Sequence, residues 1–197
     1  MDGMLRGAAQ AIAQPMSDVS RLRAQLAQAE ARIVELERLA DTDPLTELPN
    51  RRPFMRAIAR AIRHLERHGT PAAVLFVDVD SLKVINDRHG HVGGDAALLH
   101  VAQTLQREVR ASDVVARIGG DEFGLVLDHV TAEGAHAKCA ALLAAVRDSA
   151  AAFAESSIHV ELSIGVAALR EQDTTEAVLR RADDNMYVAK RAQRSDR

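Results

Sequence analysis

Residues 72–79 form a nearly continuous apolar run, AAVLFVDV, in which Asp78 is the one polar member. A half-exposed strand would alternate apolar and polar residues, whereas an uninterrupted run is typical of a strand buried on both faces. The run therefore predicts a strand in the interior of a layered domain.

Apolar spacing before and after this run predicts the remaining elements. Helical spacing occurs over 53–65, 96–109, 135–153 and 174–191, and short strands are indicated at 114–118, 123–127 and 159–167. The resulting order is β-α-β-β-α-β with a helix added at each end, which predicts an α/β (α+β, ferredoxin-like) fold. Because many activities occur on this architecture, the fold alone leaves the function open.

Composition narrows the class of protein. The net charge of -3 gives no indication of a nucleic-acid partner. The single cysteine, Cys139, excludes an intrachain disulfide and a cysteine-cluster metal site, which suits a reducing cytoplasm. No run approaches the ~20 apolar residues of a membrane helix, and 1–15 lack the pattern of a signal peptide. We therefore expect a cytoplasmic chain with no membrane partner.

The sequence divides at two points. We expect a loosely ordered lead-in over 1–15, a coiled-coil helix over 16–40 and a globular domain over 41–197. The coiled coil rests on apolar residues that step by alternating threes and fours: Val19, Leu22, Leu26, Ala29, Ile33, Leu36 and Ala40. So narrow a stripe favours a parallel homodimer, because a helix packed on its own domain would show a wider apolar face.

Two acidic segments indicate chemistry. The predicted strand ends in Asp78-Val79-Asp80, and the turn between the next two strands carries Gly119-Gly120-Asp121-Glu122. These elements are neighbours in a split βαβ sheet, so their carboxylates can converge into the oxygen-rich site that Mg²⁺ prefers. The glycines allow a tight turn and leave room for a base or a phosphate. The alternative for these four residues alone is an ordinary solvated turn.

A longer segment, RIGGDEF at 117–123, resembles the signature of the GGDEF family of diguanylate cyclases. Four further blocks resemble that family in its own order: DPLTELPNRR at 43–52, FVDVDSLKVINDRHGHVGGD at 76–95, SIGVA at 163–167 and ADDNMYVAKRAQR at 182–194. The resemblance covers residues 41–194. It implies condensation of two GTP molecules into cyclic di-GMP with release of pyrophosphate.

The resemblance also implies roles for individual residues. Metal ions, Mg²⁺ or Mn²⁺, would be held by the carboxylates of Asp78, Asp121 and Glu122 with the carbonyl of Val79. The catalytic set would be Glu122, Asp121 and Lys83. Substrate would be bound by Asn86 and Asp95 at the guanine edge, and by Leu82, Lys83, Gly119, Gly120, Lys190 and Arg194 around the base and the phosphates.

A regulatory site is implied as well. Arg110 and Asp113 form an Arg-x-x-Asp pattern upstream of the signature, which resembles the family's inhibitory site for the product cyclic di-GMP. Taken alone, this pattern more often denotes a surface ion pair. The coiled coil would assist catalysis by holding two GTP-loaded domains near each other.

The chain departs from the family's pattern at Glu47 and Gln193, where glycine is usual, and at Leu82, where phenylalanine is usual. His89 and His91 flank Gly90 beside a site for hard metals, so we interpret them as structural.

The sequence is also compatible with three other functions: a catalytically silent cyclic di-GMP receptor, a cyclase for another nucleotide and a coiled-coil interaction protein. The short lead-in suggests the C-terminal part of a longer signalling protein, with a small stand-alone cyclase as the alternative.

Overall fold

The computed structural model describes residues 21–23, 25–30, 32, 40–154 and 156–195, and of 192–195 it describes the backbone only. The chain divides into two compact units, Met1–Ala40 and Asp41–Arg197. In the first unit the described residues are helical and exposed, and Leu22 and Leu26 are each 59% exposed. Val19, Ile33 and Leu36 lie outside the described residues, so the coiled coil stays a prediction.

The second unit contains four helices and six strands within its described residues. The helices are α1 (Arg51–His68), α2 (Leu82–Glu108), α3 (Ala132–Arg147) and α4 (Thr175–Ser195). The strands are β1 (Ala72–Val79), β2 (Val114–Arg117), β3 (Glu122–Asp128), β4 (Ala151–Phe153), β5 (Ser156–Ile158) and β6 (Leu162–Ala168). The main sheet has the order β2-β3-β1-β6 with antiparallel neighbours, which confirms the ferredoxin-like prediction.

Strand β1 is buried on both faces, as its sequence predicts. Leu75 and Val77 belong to a core that also contains Leu98 of α2 and Leu142 of α3. The alternate residues of β1 belong to a second core, which contains side chains from α1 and α4. Two pairs of helices thus cover the two faces of the sheet. No helix in the described part of the chain has the length and apolar character that a membrane crossing needs.

Helix α2 begins well before the predicted Ala96. Two helical stretches join at Gly90, whose φ of 71° and ψ of 173° are not helical. The packing requires glycine at two further positions of this helix, because a Cβ on Gly94 would lie 2.9 Å from Asn86 Cγ and one on Gly93 would overlap His89.

The predicted helix over 135–153 is wrong at its end. Helix α3 ends at Arg147, and Ala151–Phe153 pairs with Ser156–Ile158 as a two-stranded sheet. The alanine-rich sequence continues smoothly across this boundary, so helix propensity does not mark it. Tertiary packing does: Ala151 and Ile158 are buried in the first core, and Phe153 lies edge-on to His89 with ring centroids 5.9 Å apart.

Glu47 occupies a left-handed backbone conformation with φ of 58°. This conformation is unfavourable for residues with a Cβ and natural for glycine. We therefore expect Glu47→Gly to raise the free energy of unfolding by about 1 kcal/mol, which urea denaturation would measure. Glu171→Gly is a control at an exposed position for which no positive φ is recorded. A Glu47→Gly protein less stable than the wild type would contradict this account.

Candidate functional site

Asp78 and Glu122 face each other across the β1–β3 pair as direct register partners. One residue beyond this pair, the Val79 N–H donates a backbone hydrogen bond of 2.9 Å to the Asp121 carbonyl. The predicted convergence of the two acidic segments is therefore present, at the end of β1 and the start of β3.

The turn between β2 and β3 is held by Arg117. Its guanidinium donates to the Gly120 carbonyl at 2.7 Å and to the Asp43 carboxylate at 3.1 Å. Glu122 lies directly over Gly119, where a Cβ would overlap its carboxylate, whereas a Cβ on Gly120 would meet no atom within 4 Å. The absence of a side chain at Gly119 thus leaves room for the Glu122 carboxylate, and Gly120 borders open space.

Arg117 and Asp43 form an ion pair that joins two of the sequence blocks. Burial acts to raise the pKa of Asp43, but hydrogen bonds from Thr46 and Arg117 outweigh it and leave the pKa below its usual range. Asp43 is therefore a stable anion that fixes the position of the Arg117 guanidinium. Sequence reasoning assigned neither residue a role, although both lie in recognised motifs.

A lysine side chain contacts the acidic residues at the end of β1. The Lys190 ammonium of α4 contacts the Asp78 carboxylate and lies 3.4 Å from the Asp80 carboxylate. Ser163 of β6 donates to the Asp80 oxygens at distances of 2.9 and 3.0 Å. The family resemblance implied that Lys190 lies near the phosphates, but it did not predict this contact with the carboxylates.

Burial and neighbouring carboxylates raise the pKa of two acidic side chains, Asp78 and Glu122. Burial raises the pKa of Asp78, and the charges of Asp121 and Asp80 add to this effect while Lys190 opposes it. Burial also raises the pKa of Glu122, with contributions from Asp121, Asp78 and Asp183 and opposition from Arg51.

The donor set fits a hard divalent cation in part. The carboxylates repel one another, and the Lys190 ammonium contacts Asp78. Both observations indicate a position where positive charge is favourable. Within the described residues, however, no three acidic, histidine or cysteine side chains form a complete metal cage. Mg²⁺ commonly uses one or two carboxylates and completes its shell with water and substrate phosphates. The site therefore fits Mg²⁺ in that shared mode.

A cleft of about 530 Å³ opens beside Asp121. Six of the predicted site residues line it: Leu82, Lys83, Asn86, Asp95, Gly120 and Asp121. His91 lines it as well, which its interpretation as structural did not anticipate. The cleft combines carboxylate and amide groups with a lysine at the start of α2, where the positive end of the helix dipole also favours an anion.

The predicted inhibitory residues lie at the other end of β2. Arg110 is exposed and borders a second cleft, of about 370 Å³. Asp113 accepts hydrogen bonds of 3.0 Å from the backbone N–H groups of Arg110 and Asp128. The Asp113 carboxylate thus stabilises its own turn, and no ion pair to the Arg110 guanidinium is recorded among the described contacts. Arg194 is helical, but its side chain lies outside the described part.

Comparison with known proteins identifies this arrangement. The sequence profile described as diguanylate cyclase, GGDEF domain, matches residues 40–196. The chain belongs to the GGDEF family. The letters GGDEF of the family's name stand in this chain at residues 119–123, in the turn before β3 and at the start of that strand.

Individual GGDEF proteins are similar over the same region. Diguanylate cyclase TpbB of Pseudomonas aeruginosa is 42% identical over 161 residues, covering 80% of this chain and 37% of TpbB. Diguanylate cyclase DosC of Escherichia coli K12 is 38% identical over 154 residues, covering 78% of this chain and 34% of DosC. The chain thus spans little more than a third of the length of these curated relatives.

A solved GGDEF structure extends the likeness to the fold. The coiled coil and GGDEF domain of DgcB from Caulobacter crescentus, solved in complex with c-di-GMP, has a TM-score of 0.83 and 25% sequence identity. The match covers 89% of this chain and 94% of that structure.

Proposed function

We propose that this chain is a diguanylate cyclase module that condenses two GTP molecules into cyclic di-GMP and releases two pyrophosphates. One observation carries the proposal: Asp78 faces Glu122, and the adjacent Asp121 lines a cleft together with Asn86 and Asp95. The names of the curated relatives support it. The catalytic unit would be residues 41–197, preceded by the predicted coiled coil at 16–40.

Asp78 together with Glu122 or Asp121, and the Val79 carbonyl, would hold Mg²⁺ or Mn²⁺ in this proposal. When bound, a divalent cation supplies charge that stabilises the phosphate oxygens during displacement. Lys83 and Lys190 would donate to the same phosphates. Arg194, one turn beyond Lys190 in the sequence of α4, would be a further donor in this proposal.

Guanine would be recognised by Asn86 and Asp95. A carboxylate can accept from guanine N1–H and N2–H₂ together, and an amide can donate to and accept from the same base. A site with such groups rejects a base that lacks the matching donors, because its own polar atoms would be left unpaired.

The bond changes follow from two domains facing each other. The ribose 3′-hydroxyl of one GTP attacks the α-phosphorus of the other, the new O3′–P bond forms, and the bond to the β-phosphate oxygen breaks. Glu122 is a suitable acceptor for the hydroxyl proton, since its carboxylate belongs to the residue that faces Asp78 at the proposed metal site. Repetition in the opposite sense closes the ring.

Incubation of the purified chain with GTP and Mg²⁺, followed by chromatography of the nucleotides, tests the function. Cyclic di-GMP and pyrophosphate should accumulate, and ATP should be converted at least a hundredfold more slowly. Binding of cyclic di-GMP without any synthesis would favour the silent receptor. Comparable conversion of ATP would contradict the assignment of Asn86 and Asp95.

We further propose that Arg110 binds the product and mediates feedback. Its planar guanidinium can contact a guanine edge and a phosphate together. Arg110→Ala should raise the cyclic di-GMP concentration required for half-inhibition by about tenfold or more. Rate measurements with added cyclic di-GMP test this.

Arg147→Ala is the control, because Arg147 is 71% exposed and pairs with the adjacent Asp148. Unchanged inhibition in Arg110→Ala would refute this role. Asp113 is unsuitable for the test, since its carboxylate holds two backbone groups.

The homodimer through the N-terminal helix is also a proposal. Leu26 is helical and 59% exposed in the single chain. Leu26→Asp would place a carboxylate in the seam of a coiled coil, which strongly disfavours pairing. Sedimentation should show a weaker dimer, and specific activity should depend steeply on protein concentration. Gln28→Asp, off the apolar stripe, should change neither property. A monomeric Leu26→Asp protein with full activity at low concentration would overturn the proposal.

A further inference from the structure

Asp80 follows β1 and differs from Asp78 in what surrounds it. Its side chain is 14% exposed, and its backbone N–H donates to the Glu161 carbonyl at 2.9 Å. The Ser163 hydroxyl, fully buried on β6, lies 2.9 and 3.0 Å from the two Asp80 carboxylate oxygens. Asp80 is therefore held by Ser163 and Glu161, whereas Asp78 faces Glu122.

Lys190 lies between these two carboxylates. Its ammonium contacts Asp78 and lies 3.4 Å from Asp80. A divalent cation bound by Asp78 would repel an ammonium in contact with the same oxygen. An ammonium with a second anion beside it can move aside without leaving the site.

We propose that Asp80, fixed by Ser163, is a positioning residue for Lys190. The Lys190 ammonium takes the place of a metal ion on Asp78 while the site is empty of metal. When a divalent cation binds Asp78, Asp80 retains the ammonium beside it, where it meets the phosphates of GTP. This role rests on the proposed function, because it assumes metal and triphosphate at this site.

Three statements follow from these roles of Lys190 and Asp80, and binding measurements without turnover test each of them. If Lys190 competes with metal, its removal strengthens metal binding. If Asp80 positions Lys190 and does not ligate metal, removal of its charge leaves metal affinity nearly unchanged once Lys190 is absent. If Asp80 acts through Lys190, its effect on nucleotide binding disappears in the Lys190 variant.

Mn²⁺ binding to the nucleotide-free chain tests the first two statements by paramagnetic titration. Lys190→Met should bind Mn²⁺ several-fold more tightly than the wild type. In the Lys190→Met background, Asp78→Asn should weaken binding more than tenfold, and Asp80→Asn less than threefold. Unchanged or weaker binding in Lys190→Met would overturn the competition, and equal losses from Asp78→Asn and Asp80→Asn would make Asp80 a ligand. Circular dichroism melting establishes that each variant is folded.

Binding of a non-hydrolysable GTP analogue with Mg²⁺ tests the third statement. Asp80→Asn should weaken binding about tenfold in the wild-type background and less than twofold in Lys190→Met. Ser163→Ala should act in the same direction as Asp80→Asn, to a smaller extent. Equal losses from Asp80→Asn in both backgrounds would overturn the positioning role. A wild type that binds the analogue and Mn²⁺ but forms no cyclic product would refute the proposed function alone. If no analogue binds, the function fails as well, and the Mn²⁺ titrations still decide between the roles of Asp80.

Discussion

Glu122→Gln should lower the rate of cyclic di-GMP synthesis by about 10³-fold or more. The amide has nearly the same shape as the carboxylate, so the β1–β3 pairing opposite Asp78 remains. It lacks the negative charge that a hard divalent cation requires, and it cannot accept the proton of the attacking hydroxyl. Rate measurements at saturating GTP and Mg²⁺ test this expectation, and Asp78→Asn should behave in the same way.

The same variant should be folded at least as stably as the wild type. The folded-state pKa of Glu122 is raised, so the folded chain favours the protonated, uncharged carboxyl. The ionised form therefore costs stability at neutral pH, a cost that is absent below the ordinary pKa of the side chain and complete above the raised one. Glutamine removes this cost, and the melting temperature at pH 7 should not fall.

Loss of activity together with retained stability would separate the chemical role of Glu122 from a structural one. Glu171→Gln, an exposed glutamate in the loop after β6, is the control and should leave both properties unchanged. Synthesis within a few-fold of the wild type in Glu122→Gln would refute the metal and catalytic assignments.

The sequence predicted those parts of the molecule that local patterns encode. The apolar run at 72–79 is β1 to the residue, and the turn at 119–122 joins β2 to β3 as expected. The pairing of Asp78 with Glu122 followed from the order of the elements, since neighbouring strands of this fold bring their ends together.

What the sequence did not predict depends on contacts between distant residues. The hydrogen bond from Ser163 to Asp80 joins residues far apart in the sequence, and so does the contact of Lys190 with Asp78. No spacing rule encodes such pairs, because each requires the sheet and α4 to be assembled first.

Gly165 of β6 is one of these long-range requirements, and its replacement should have the largest effect on stability. A Cβ at this position would lie 2.8 Å from Met186 Cα and closer still to Ala182 O and Met186 N. These are backbone atoms of α4, so no side-chain rotation can relieve the overlap. Helix α4 therefore lies directly on the glycine, and any side chain at 165 must push the helix away.

Gly165→Ala should lower the free energy of unfolding by about 3 kcal/mol, at the upper end of the usual cost of overpacking. For a chain of this size that corresponds to about 10 °C in the melting temperature. Activity should fall as well, because α4 carries Lys190 and a shift of the helix would draw its ammonium away from Asp78 and Asp80. Thermal melting and urea denaturation measure the first effect, and the rate of synthesis measures the second.

Gly120→Ala is the matched control, since it makes the same chemical change where a Cβ meets no atom within 4 Å. It should alter the free energy of unfolding by less than about 1 kcal/mol. Gly120 lines the cleft that we propose for GTP, so the change should weaken GTP binding. The two substitutions should therefore have different effects. Gly165→Ala should lower the stability of the fold, whereas Gly120→Ala should lower only the affinity for GTP. Equal melting temperatures for Gly165→Ala and the wild type would show that α4 does not require this close approach to hold Lys190 at the site.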